Sequence, residues 1–394
     1  MSMAHENPAD RVRVYLARLT PLARSSLLTE IERLQLYGED VSAFAPILAA
    51  LRAEFRKSGD INHRIGNPSR HFFKPLEVLF VDRPPEKANA GQISRGSLSA
   101  IWEWINHELL PAMARDYCEA MTKALVGGHT QEANQIANGF QTKVIKSLQG
   151  ILGSPQGEAS VEHGLGQYTS SHACMNDLKK ILAALQMQEA IAAFGAALPP
   201  RIDHFEGATL SKVHSQLDAI AAKHPQGMPF ALTIVMKRLE RPWQIALLAI
   251  HAAHGRTAEE IARTRYGMAV SMVLDHLDDR HAILKQALKA SRVEAAKGIL
   301  AEIYEIEDQL SDRISGLEGS EWGKRLADFT ATLGSELEAE LHTLPDGTHH
   351  VLEALAHRRH GGLLQYLSQV GRDALASGTA AYERLIGVDH RQAS

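Results

Sequence analysis

Five of the chain's 20 histidines fall between His342 and His360. On a helix, His349, Glu353, His357 and His360 are spaced four, four and three, and therefore share one stripe. Imidazole nitrogens and a carboxylate at that spacing suit zinc or another divalent transition metal, and a metal-dependent enzyme is one reading of them. Arg358 and Arg359 beside the stripe oppose a cation, and a solvated helix flank has the same pattern, so the default expectation is no cofactor. A second cluster joins Asp275, His276, Asp278, Asp279 and His281. Asp275 and Asp279 are four apart and need carboxylates from a partner helix to hold a divalent ion. No Glu-x-x-His pair elsewhere completes such a site.

The sharpest local pattern runs from Gly255 to Leu277. Thr257 and Glu260 have capping-box spacing, Ile261 and Ala262 face inward, Gly267 marks a turn, and Val270, Val273 and Leu277 line a second helix. The stretch resembles a helix-turn-helix DNA-binding motif, which implies a transcriptional regulator whose basic side chains, Arg256, Arg263 and Arg265, meet phosphate. It departs from the motif in two ways. Ala262 and Gly267 are five apart where the motif has four, and Asp275, Asp278 and Asp279 would face a polyanion. Nucleic acid is therefore the alternative expectation rather than the leading one.

Arg70-His71-Phe72-Phe73-Lys74-Pro75 mixes cations with rings, the composition of a membrane-surface or partner-docking element or of a segment pinned by its rings onto a neighbouring domain. Trp102 and Trp104 are two apart and cannot share a helix face, which places at least one of them at a domain or subunit contact. Cys118 and Cys174 sit in no CxxC pair and read as reduced thiols. Gly319 to Lys324 is one residue short of a phosphate loop and lacks its Ser or Thr.

Charge adds a further candidate. The formal net charge of −4 is too small to argue for nucleic acid or an anionic membrane, but residues 300–341 hold 11 acidic against 3 basic side chains. Glu302, Glu305, Asp308 and Asp312 in this region are the candidate interaction surface.

The elements that must position these groups are helices. Apolar residues recur at three and four rather than alternating, so the fold class is all-α. At 394 residues, with 45% hydrophobic and 22% charged, the chain is long enough for more than one core. Four regions are expected: an N-terminal helical segment (1–57), a loop-rich connector (58–96), a middle helical domain (97–200) and a C-terminal antiparallel bundle (205–394). The helix entered at Ser97 should kink at Pro111. Val293 to Leu317 and Trp322 to Leu341 carry apolar seams expected to face each other, and a closing helix is expected from about Thr348. The polar N-terminus has no secretory pattern and no stretch reads as a membrane span, so a cytoplasmic address is expected by elimination. The leading functional reading is a non-enzymatic helical scaffold or protein-interaction module, with a protein partner or homo-oligomer held through helical seams.

Overall fold

The computed structural model describes residues 67–253, 257–290 and 292–343, with a few isolated positions before Asn67. The N-terminal helical segment, the start of the connector and the closing helix lie outside the described residues. Among those described there are fourteen α-helices and two strands of two residues each, Phe80–Val81 and Ile93–Ser94, so the chain is all-α. The chain divides into two compact units. One holds residues 1–86 and 94–188, the other 87–93 and 189–394. A seven-residue strap, 87–93, belongs to the second unit.

In the first unit, Asn67 opens α1 (Pro68–Phe73) by accepting from the Ser69 and Arg70 amides. A 3₁₀ segment (Lys74–Leu79) follows, and α2 (Arg95–Trp104) begins at the Ser94 cap. Pro111 has no amide proton to give, and the chain answers with a π-helical turn over Ile105–Leu109, closed by the Leu110 amide on the Ile105 carbonyl, before α3 (Pro111–Val126) restarts at proline. The expected kink is therefore a break between two helices. α4 (Thr130–Leu152), α5 (Gly157–Leu165) and α6 (Cys174–Gln186) complete the unit.

Its core is aromatic. Phe72, Phe73, Trp102, Tyr117 and Phe140 form a continuous cluster, with the Tyr117 and Phe140 rings stacked at 4.5 Å. Trp102 and Trp104 both lie buried inside this unit, which corrects the expectation of a contact site. Trp102 joins the ring cluster. Trp104 lies against α5 where Gly164 leaves room: a Cβ there would stand 2.5 Å from the indole nitrogen.

The second unit contains α7 (Gln188–Ala197), α8 (Gly207–Lys223), α9 (Met228–Arg238), α10 (Ala246–Ala252), α11 (Ala258–Arg263), α12 (Met268–Lys289), α13 (Val293–Arg313) and α14 (Glu321–Thr343). α12 is its central strut, contacting α10, α13 and α14. Ala269, Val270, Met272, Val273, Leu274 and Leu277 are all buried, so burial extends well beyond a single stripe. Among the described residues, the main packing of both α13 and α14 is against α12 rather than in the expected seam between them. Leu300 and Leu333 are both core residues, but in separate seams. Paired residues fix the directions: His276 with Glu302 makes α13 antiparallel to α12, whereas Trp322 with Ser271 and Glu336 with His281 make α14 parallel to it.

The strap, 87–93, folds around Asn89, whose side chain accepts from the Gly91 amide at 3.0 Å and donates to Asp275 at 3.4 Å. Gly91 lies so close to α9 that a Cβ would stand 2.0 Å from the Pro229 carbonyl oxygen.

Candidate functional site

Thr257 forms the expected capping box at the start of α11, accepting from the Glu260 amide at 3.2 Å while Glu260 accepts from the Thr257 amide at 3.2 Å. The turn that follows is tight, for a Cβ on Gly267 would stand 2.9 Å from the Ile261 carbonyl oxygen. The helix after it is α12, the strut of the unit. Of the motif's basic residues, Arg263 is bound to Glu259, Arg265 lies 3.8 Å from Asp218, and Arg256 lies outside the described residues.

The Asp/His cluster on α12 is engaged by its neighbouring helices. Arg325 of α14 donates to Asp275 at 2.7 Å and to Asp278 at 2.8 Å. His276 meets Glu302 of α13 at 2.9 Å, with Arg280 at 3.3 Å from the same carboxylate. His281 meets Glu336 of α14 at 2.7 Å, with Lys285 at 2.5 Å. Burial works against ionising Glu302, but the His276 hydrogen bond and the Arg280 and His276 charges outweigh it and hold this carboxyl below its usual range. Glu336 is lowered in the same way against its own desolvation, by Lys285 and His281. These pairs use opposite charge as a lock between helices, which fixes which turn of α12 meets which turn of its neighbour.

The four acidic candidates on α13 therefore have different situations. Glu302 is held internally. Glu305 accepts from Arg241 at 2.9 Å and from the Trp243 indole at 3.1 Å, tying α13 to the turn at 242–245. Asp308 is half-buried and Asp312 exposed. Glu305 and Asp308 also border a shallow trough of about 530 Å³ on the outward side of α13, whose floor is Gly298 and Ala301. A Cβ on Gly298 would meet nothing within 4 Å.

His349, Glu353, His357 and His360 lie outside the described residues. Within them, no group of three or more His, Cys, Asp or Glu side chains is placed to hold a metal. Nor is any described helix long and apolar enough to cross a membrane. Cys174 is buried and Cys118 half-buried, and neither forms a disulfide. Burial and the neighbouring Asp177 charge push the Cys174 thiol up to about 11, partly offset by a hydrogen bond with the Ser97 side chain, so it is held protonated.

Two polar groupings escaped sequence reasoning because their members are far apart in the chain. In the second unit, Tyr266 donates to Asp218 at 2.6 Å and stacks on His214, whose ring also meets His251 edge-on at 5.3 Å. In the first, the fully buried Asp177 accepts from the Ser94 amide at 3.1 Å and the Ser97 hydroxyl at 2.7 Å, and pairs with Lys180 at 3.0 Å. Both bind a helix to its neighbour. No family model, no curated protein and no solved structure matches this chain.

Proposed function

We propose that the protein is a non-enzymatic helical scaffold that acts by docking a partner protein helix on the outward face of α13. The observation that carries this reading is the trough whose floor is Gly298 and Ala301, with Glu294, Lys297, Glu305 and Asp308 at its borders and Lys297 paired to Glu294 at 3.0 Å. Side-chain size at a helix contact sets how closely two axes approach, and a glycine and an alanine in adjacent turns admit a close one. Three carboxylates against one lysine leave this border net acidic, which favours a partner helix with basic flanks. Two further facts support the reading. Asp275, His276, Asp278, Arg280, His281 and Lys285 of α12 are bound to α13 or α14, which makes the C-terminal helices a braced platform, and Glu305 is fixed in place by Arg241 and Trp243.

The test fills the trough without touching the core. Gly298→Leu adds a side chain where there is open space, so the fold is retained. Tagged wild-type and variant proteins are used for affinity capture from native lysate, with quantitative mass spectrometry of what each retains. A defined set of proteins held by the wild type and lost by Gly298→Leu is the expected result. Identical capture by both proteins would remove the α13 face as the docking surface.

A further inference from the structure

The Arg70 to Pro75 stretch does two things in the first unit. Phe72 and Phe73 point into the ring cluster and pin α1 in place, while Arg70 and Lys74 border a cleft of about 410 Å³ between α1, the 3₁₀ segment and α2. That volume lies within the range of about 300–1,000 Å³ found for small-molecule sites. The apolar wall is made by Phe73, Phe80, Leu98 and Trp102. Phe73 and Trp102 belong to the buried aromatic cluster, so this wall is preformed.

The polar border carries Arg70, Lys74 and Arg95. Arg95 lies over the Phe80 ring, 5.4 Å from its centre, and holds Asp82 through Nε at 3.1 Å. Glu77 and Glu103 also line the cleft, and Glu103 is engaged by His107 at 3.1 Å. Burial, followed by the Lys74 and Arg70 charges, holds the neighbouring His71 below the usual imidazole range.

We infer that this cleft binds a small organic anion, a flat aromatic body against Trp102, Phe73 and Phe80 whose acidic group is met by Lys74 and Arg95. The size of the recess, its rigid ring wall and the cations that line it together define that ligand class. This site is in the first unit and is independent of the α13 docking face.

The probe is 1-anilinonaphthalene-8-sulfonate, an aromatic sulfonate, set against N-phenyl-1-naphthylamine, which has the same rings and no charge. Both are titrated calorimetrically into the full-length protein. The expected result is one sulfonate probe per chain, with the neutral probe binding at least about tenfold more weakly, as loss of a charge-assisted contact implies. Lys74→Gln with Arg95→Gln should weaken the sulfonate at least about tenfold and leave the neutral probe unchanged. Lys74 is exposed, so Lys74→Gln alone keeps the fold and should shift the sulfonate in the same direction. Ser99→Trp, an exposed position on the border, should block both probes. Absence of saturable binding, unchanged sulfonate affinity in the charge variants, or binding that survives Ser99→Trp would each overturn the assignment.

Discussion

Ser97 donates its hydroxyl proton to Asp177 at 2.7 Å, joining the first turn of α2 to the first turn of α6 in a place where neither side chain meets water. The Asp177 carboxylate also takes the Ser94 amide, at the cap of α2, and Lys180 supplies the opposite charge. A buried carboxylate is tolerated only when its lone pairs are filled and its charge is matched, and here both conditions are met. Asp177→Ala leaves the Ser97 hydroxyl, the Ser94 amide and Lys180 without their acceptor. Chemical denaturation should show a loss of about 3–5 kcal/mol. A loss below about 1 kcal/mol would mean that the network does not hold α2 to α6.

Gly91 and Gly139 should respond to alanine with opposite signs. At Gly91 a Cβ would overlap the Pro229 carbonyl, a backbone atom with no room to yield, so Gly91→Ala should cost about 1–3 kcal/mol by overpacking. Gly139 lies inside α4 with nothing within 4 Å of a Cβ, and Gly139→Ala should stabilise by about 0.5–1 kcal/mol through helix propensity. Thermal unfolding of the two variants decides the matter. Gly91→Ala melting with the wild type would detach the strap from α9.

The carboxylates that lock α12 to its neighbours set an acid limit. Glu302 and Glu336 are both held below their ordinary value in the folded chain, so each contributes stability that is complete above the unfolded carboxyl value. That contribution is lost as pH falls through the lower folded values. Unfolding temperature should therefore drop on acidification below about pH 4.5, and more steeply in the wild type than in Glu302→Gln with Glu336→Gln. Parallel acid profiles for the two proteins would show that the pairs contribute nothing.

Much of this architecture is legible in the sequence. The capping box at Thr257, the glycine turn at Gly267 and the three-four spacing of Val293 to Leu317 are local patterns, and local patterns fix helices. What spacing cannot reveal is the partner of a helix face. The seams of α13 and α14 look complementary to each other, but both are taken by α12, whose burial is too broad to read as one stripe. The same limit hid Asp177, 80 residues from Ser97, and the Tyr266–Asp218–His214 grouping. Trp102 and Trp104 show a related limit. Residues two apart on a helix do face differently, but α2 is surrounded by its own unit closely enough to bury both.

Separate seams carry a thermodynamic signature. Leu300→Ala and Leu333→Ala should each cost about 2–5 kcal/mol, since both side chains are fully enclosed. Because α13 and α14 each pack mainly on α12, the double variant should equal the sum of the singles within about 0.5 kcal/mol. Denaturant titration of the three variants measures this. A coupling above about 1 kcal/mol would place the two leucines in one shared seam after all.

The docking face itself is tested most directly by site-specific photo-crosslinking in cells, with a benzophenone side chain introduced at Ala301 on the floor of the trough or at Gln149, an exposed position on α4. Irradiation should convert the Ala301 protein into one discrete adduct carrying a second polypeptide, and Gly298→Leu in the same chain should abolish that adduct. No adduct at Ala301, or the same adducts from Ala301 and Gln149, would contradict the assignment of α13 as the surface through which the protein acts.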